Sequence, residues 1–210
     1  MKAAIFDVDG TLLDSMPVWD DIASVYLKSI GIKTDGRDDY EIITMSIASA
    51  CLHLISKYGI DKTVDEMIKG LSDMVADKYR YEIQLKSGVK EYLAKLKSEG
   101  VSMCVVTASE RGYITDALVR LNIYNYFDFM LTCSEAGLDK NSAAIYDMAR
   151  EKLGTDIEDT VVFEDAFNAI TAAKNGGYKV YAVYDKSMDD FKDRIILNCD
   201  KYIYDYAELM

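Results

Sequence analysis

The sequence predicts an α/β fold in which a parallel sheet is interrupted, after its first strand, by a block of helices. Three observations predict it. Short apolar runs at Lys2–Phe6, Val101–Val106, Phe127–Leu131, Thr160–Phe163 and Tyr178–Val183 alternate, from Gly88 onward, with helical patterns. That alternation belongs to a parallel sheet covered on both faces. Residues 16–85, by contrast, are helical in pattern and separate the first apolar run from all the others. The chain has 210 residues, half of them apolar and 29% charged, which suits one sizeable core with a small second lobe.

The elements follow in order. After the first strand, Ser15 is expected to cap a helix whose first turn tolerates Pro17, the single proline. Val18, Trp19, Ile22, Val25, Tyr26 and Ile30 make one apolar stripe. Ile43, Ile47, Cys51, Leu54 and Ile55 make a second, and Val64, Met67, Ile68, Leu71, Val75, Tyr79 and Ile83 a third. Gly31, Gly36 and Gly59 punctuate them. Further on, helices are expected at Val89–Ser98, near Tyr113–Leu121, at Ser142–Leu153 and at Ala166–Asn175, with Tyr202–Tyr204 as a short edge strand. The reading is a Rossmann-like parallel sheet core, residues 1–15 and 86–210, with an inserted small helical cap, residues 16–85, over the sheet's carboxyl edge. In open α/β sheets that edge is where ligands bind.

Composition excludes several classes. A formal net charge of −12 disfavours nucleic acid and anionic membranes, which need a basic surface. Cys51, Cys104, Cys133 and Cys199 form no Cys-x-x-Cys pair and read as reduced structural thiols. Asp7 breaks the amino-terminal apolar stretch, so no signal peptide is read there, and no run reaches the roughly 20 apolar residues of a membrane span. A cytoplasmic protein is the expectation. His53 is the only histidine and is expected to be a half-buried structural residue in the helical insert. The acidic run Asp185–Asp193 is expected to be a solvated loop.

The chemistry concentrates at strand ends. Asp7 and Asp9 close the first strand, two residues apart and therefore on one side of it, before a Gly10-Thr11 turn. Two carboxylates that close repel unless a cation or a shared proton relieves them. They ask for a metal ion, an acid/base pair, or both. The second strand ends in Thr107-Ala108-Ser109, a loop before a helix carries Lys140, and the fourth strand ends in Glu164-Asp165. Singly these are a polar turn, a commonplace threonine, a surface lysine and a helix cap. Together at adjacent ends of one sheet they suit phosphoryl transfer. A carboxylate can attack phosphorus, several can hold Mg²⁺, a hydroxyl with backbone N–H groups can orient phosphoryl oxygens, and a lysine can offset their charge. A second carboxylate can protonate the leaving oxygen and then activate water.

The set Asp7-Val8-Asp9-Gly10-Thr11, Val106-Thr107-Ala108-Ser109, Lys140 and Val162-Phe163-Glu164-Asp165-Ala166 resembles the four motifs of the haloacid dehalogenase-like superfamily, in its branch of capped phosphatases related to β-phosphoglucomutase. The resemblance implies a phosphatase of a small soluble phosphomonoester, such as a sugar phosphate or nucleotide, working through an aspartyl-phosphate. It implies Asp7 as nucleophile and Mg²⁺ ligand, and Asp9 as general acid/base with its backbone carbonyl on the metal. Thr107 and the Ala108 N–H would grip the phosphoryl group, Lys140 would neutralise it, and Asp165 with Glu164 would complete the metal site. The sequence departs from the branch in two places: Asn141 follows the lysine where proline is usual, and Trp19 stands where mutase members carry a histidine. Asp9 separates the chain from dehalogenases and phosphonate-cleaving members, which lack that acid. A sugar phosphomutase is the rival reading, and a non-catalytic binding protein on the same fold a second.

Overall fold

The computed structural model describes residues 1–34, 36–42, 45 and 47–210, with the backbone alone at 40 and 47. The chain divides into two compact units, Met1–Met16 with Ile83–Met210, and Pro17–Glu82.

The larger unit is built on β1 (Ala3–Phe6). The smaller unit follows with α1 (Met16–Asp20, beginning at the unit's edge), α2 (Ile22–Ser29), α3 (Asp38–Ile42), α4 (Ile47–Tyr58) and α5 (Val64–Tyr81). The larger unit then resumes with α6 (Val89–Ser98), β2 (Ser102–Thr107), α7 (Arg111–Arg120), β3 (Phe129–Thr132), α8 (Cys133–Ala136) and α9 (Ala144–Leu153). It closes with β4 (Thr160–Glu164), α10 (Phe167–Asn175), β5 (Lys179–Val183), α11 (Lys192–Asn198) and β6 (Lys201–Ile203). The six strands form one sheet in the order β3-β2-β1-β4-β5-β6, every pair parallel.

The central strands β1, β2 and β4 are buried almost throughout because helices cover both faces of the sheet there. Ala3, Ala4, Ile5 and Phe6 are wholly buried. One side of the sheet packs Ile5, Val106 and Val162 against Ile145, Tyr146 and Ala149 of α9 and Ile170 of α10. Phe6 stacks on Phe163, ring centroids 4.3 Å apart, and Phe163 lies near Tyr206 and Tyr92. Phe6 is level with Val105 on one side and Phe163 on the other. The residues that follow each of these strands therefore leave the sheet together.

The smaller unit has its own core. Ala23, Tyr26 and Leu27 of α2 meet Cys51 and Leu54 of α4 and Met67 and Leu71 of α5. The third expected stripe is observed in α5, where Met67, Leu71, Val75 and Tyr79 are buried. A reciprocal capping box starts that helix: Thr63 Oγ1 accepts from the Glu66 N–H, and the Glu66 carboxylate accepts from the Thr63 N–H. The first stripe differs from the expectation. The chain breaks between α1 and α2 at Asp21, which turns Trp19 out to 39% exposure, and its Nε1–H donates to the Tyr79 hydroxyl at 3.3 Å. The buried face of α2 is Ala23-Tyr26-Leu27 instead. In the second stripe Ile43 lies outside the described residues.

The acidic segment 185–193 is also not a loop. A 3-10 turn spans Lys186–Phe191 and runs into α11. Asp185 caps that turn, accepting from the Ser187 N–H at 2.9 Å. It is 6% exposed and is paired with Lys86 at 2.8 Å, so one carboxylate of the run is structural and not solvated. All four cysteines are free thiols. Among the described residues no helix is long and apolar enough to cross a membrane.

Gly70 lies inside α5, and a Cβ there would come within 2.6 Å of Tyr26 Cε2 and 2.7 Å of Tyr26 Cζ. Alanine ordinarily gains about 1 kcal/mol over glycine in a helix. Overpacking a rigid, buried ring costs about 1–3 kcal/mol. Gly70→Ala is therefore expected to lower the protein's thermal midpoint, measured by circular dichroism, although the exchange raises helix propensity.

Candidate active site

The loop after β1 is shaped by its own backbone. The Val8 carbonyl accepts the N–H groups of Leu12 and Leu13, each at 2.8 Å, which folds 8–13 into a tight turn directly beyond the strand. Gly10 holds φ +82°, a left-handed conformation that glycine adopts at little cost. A Cβ there would also stand 2.7 Å from Asp165 Cγ, so glycine lets the β1 and β4 ends approach. The Asp7 N–H donates to the Phe163 carbonyl at 3.0 Å, extending the pairing of β1 with β4 one step past Phe6.

Three carboxylates converge there. Asp7, Glu164 and Asp165 are all buried and offer one oxygen each within 4.8 Å of one another. The Lys140 ammonium reaches in from the loop before α9. It donates to Asp7 Oδ1 and, at 2.7 Å, to Glu164 Oε1. Every lone-pair direction of Glu164 is engaged. Oε1 also accepts from the Tyr146 hydroxyl at 3.1 Å, and Oε2 from the N–H groups of Asp165 (3.1 Å) and Ala166 (3.2 Å). Asp165 Oδ1 accepts from the Thr11 hydroxyl at 2.8 Å.

Burial pushes the Asp7 carboxyl up to about 6; Lys140 opposes that rise and Glu164 adds to it. Asp165 is raised well above the usual carboxylate range by burial and by Asp7 and Glu164. Burial alone would lower the Lys140 ammonium, but Asp7 and Glu164 beside it outweigh burial and hold it charged. One lysine thus faces three buried acids. An all-oxygen set with surplus negative charge fits a hard divalent cation such as Mg²⁺. Asp7 and Asp165 are the residues with oxygen to spare for it.

Asp9 is held apart from this cluster. Its Oδ1 accepts from the Ser15 hydroxyl at 2.7 Å and its Oδ2 from the Ser109 hydroxyl at 2.6 Å. A hydroxyl donates to a carboxylate and can turn to accept from a carboxylic acid, so the two serines suit an acid that changes protonation state. Thr107, wholly buried at the end of β2, accepts from the Ser109 N–H at 3.1 Å and keeps its own proton to donate. Ala108 is exposed at the same strand end.

Every residue expected at the site lies in the larger unit, at or just past the carboxyl ends of β1, β2 and β4 or on the loop carrying Lys140. His53 lies in the other unit, its Nε2 3.1 Å from Glu41 Oε2. The structure ties four further residues to the site: Thr11, Ser15, Ser109 and Tyr146. Ser15, expected as a helix cap, gives its hydroxyl to Asp9. Thr11 and Ser109 stood inside the motifs and could have been taken from them. Tyr146 follows Lys140 by six positions with no local signal.

A model of the haloacid dehalogenase-like hydrolases matches residues 4–183. Among curated proteins, the chain is 26% identical over 193 residues to a phosphorylated carbohydrates phosphatase of Thermotoga maritima, covering 91% of this chain and 89% of that one. It is 27% identical over 194 residues to a phosphoglycolate phosphatase of Neisseria meningitidis, covering 84% and 77%. Among solved structures, one from Thermotoga maritima, provisionally described as a β-phosphoglucomutase, superposes with a TM-score of 0.84 at 24% identity, covering 97% of this chain and 94% of that one. CbbY of Rhodobacter sphaeroides in complex with phosphate superposes with a TM-score of 0.78 at 19% identity, covering 100% and 96%. Both share the fold of this chain.

Asp165→Asn keeps an acceptor for Thr11 while removing one of the crowded charges. It is expected to raise the thermal midpoint in metal-free buffer at neutral pH by about 3 °C, as ~1 kcal/mol does for a chain of this size. Added Mg²⁺ is expected to raise the midpoint of the wild type and not that of the variant. Scanning calorimetry with and without Mg²⁺ checks both.

Proposed function

The chain belongs to the haloacid dehalogenase-like hydrolase family, and from that premise we propose that it is a Mg²⁺-dependent phosphatase of a small phosphomonoester that works through an aspartyl-phosphate. One observation carries the reading. At a single sheet edge one carboxylate, Asp7, is paired with a lysine in a buried acidic cluster, while a second, Asp9, is held separately between two hydroxyls. That separation gives two acids two different jobs.

The course follows from these residues. The Asp7 carboxylate attacks phosphorus, forming an Asp7 O–P bond as the bond to the leaving alcohol oxygen breaks. Asp9 gives its proton to that oxygen, so the alcohol leaves neutral. Asp9, now ionised, takes a proton from water as the water attacks the acyl phosphate; inorganic phosphate departs and Asp7 is regenerated. The Thr107 hydroxyl and the Ala108 N–H orient the phosphoryl oxygens, and Lys140 offsets their charge and braces Asp7. Mg²⁺, held by Asp7 and Asp165 with Glu164 and the Asp9 carbonyl beside them, would supply further positive charge against the phosphoryl oxygens.

Curated relatives act on phosphorylated carbohydrates, phosphoglycolate and hexitol phosphates by their names. That range supports a small phosphate ester of the sugar-phosphate kind as this protein's substrate.

Asp7→Asn is expected to abolish turnover of an aryl phosphate in the presence of Mg²⁺, by at least about a thousandfold, with an unchanged circular dichroism spectrum. Substantial residual hydrolysis in the variant would sink the mechanism. Wild-type protein given β-glucose 1-phosphate, a bisphosphate primer and Mg²⁺ is expected to release free phosphate; isomerised sugar phosphate would identify a mutase instead.

A further inference from the structure

The segment that leaves β2 serves both halves of the proposed reaction. Thr107 and Ala108 face the phosphoryl group, and two positions later Ser109 holds Asp9 at 2.6 Å. A loop with both tasks must be fixed at its far end as well as at the strand. The residue at that far end is Arg111, the first of α7. Its guanidinium makes a two-pronged pair with Glu135, Nε to Oε1 and Nη2 to Oε2, both at 2.5 Å. Nη2 donates in addition to the Met130 carbonyl of β3 at 2.9 Å.

The partner is itself well placed. Glu135 lies in α8, and its N–H donates to the Thr132 hydroxyl at 3.2 Å, the cap that starts that helix. Thr132 is level with Thr107 across the β2–β3 pair. Arg111 therefore ties the exit of the β2 loop to the neighbouring strand end at the same height as Thr107. The fork geometry fixes orientation as well as distance, which a lysine at this position could not do.

Both side chains are more than two-fifths exposed, 42% and 44%. Water screens an ion pair this exposed, so its contribution to stability is modest even in a two-pronged geometry. What the fork adds beyond that is a fixed orientation, at a place where orientation matters.

We propose that Arg111 and Glu135 are positioning residues that hold the Thr107–Ser109 loop in register for gripping the phosphoryl group and orienting Asp9. The proposal rests on the phosphatase reading above. The pair touches neither substrate nor the acids themselves and acts only through the loop.

The test uses the whole protein with Mg²⁺ and an aryl phosphate, and compares Arg111→Lys, Glu135→Gln and the swapped double variant R111E/E135R with wild type. Arg111→Lys and Glu135→Gln are each expected to lose about ten- to a hundredfold in kcat/KM, the scale of a small misplacement of reacting groups. Their thermal midpoints are expected to stay within about 2 °C of wild type. Inhibition by inorganic phosphate is expected to weaken with them. A cycle with Thr107→Ala is expected to be non-additive, because both changes act on one loop. The swapped variant is expected to recover part of the loss. Unchanged kcat/KM, a loss matched by a fall in thermal midpoint, or strict additivity with Thr107→Ala overturns the proposal while leaving the phosphatase reading intact. A wild type that hydrolyses no phosphate ester overturns both.

Discussion

Three carboxylates cannot be taken out of water within 4.8 Å of one another without something to answer their charge. That constraint organises the carboxyl edge of the sheet. Lys140 answers part of it, bridging Asp7 and Glu164. Tyr146 and two backbone N–H groups complete Glu164, so this carboxylate works as the fixed post against which the lysine is set. Thr11 answers Asp165, and glycine at position 10 allows that carboxylate to come close. What remains is surplus negative charge in an all-oxygen setting, the condition under which a divalent cation is drawn in. Such a site lowers stability to make function possible, a trade common in active sites.

Topology decides which acids meet. β1 lies between β2 and β4, so the turn after β1 faces Thr107 on one side and Glu164-Asp165 on the other. The same turn separates the first two acids by environment. Asp7 is drawn toward the lysine and the buried cluster, whereas Asp9 lies between the Ser15 and Ser109 hydroxyls. Two identical side chains two residues apart thereby acquire different electrostatic surroundings, and a nucleophile and a proton carrier need that difference. Arg111 and Glu135 extend the logic outward, from the acids to the loop that holds one of them.

Much of the fold was legible because buried parallel strands have no polar face. Each strand appeared as an apolar run between helices, and all six are present within two residues of their expected ends. The candidate residues were legible for a related reason: Asp7, Thr107 and Glu164 each end an apolar run. What the sequence hid is tertiary. Ser15 looks like a helix cap until Asp9 is seen beside it, and Tyr146 looks like a core residue until Glu164 meets its hydroxyl. The Arg111–Glu135 fork joins residues 24 positions apart. In the helical unit, a stripe assumed continuous through Trp19 fails because the helix breaks at Asp21, a rotation that periodicity cannot register. Asp185 looks solvated in the company of its acidic neighbours, but Lys86, far away in sequence, pairs with it where it is buried.

The central claim is that Asp7 takes up the phosphoryl group. The direct measurement is mass spectrometry of the protein quenched in acid during turnover of an aryl phosphate with Mg²⁺, followed by peptide mapping. The account predicts one phosphoryl group on the peptide that contains Asp7, present during turnover and gone once substrate is exhausted. Steady release of phosphate with that peptide always unmodified, or with the phosphoryl group on another residue, would contradict it.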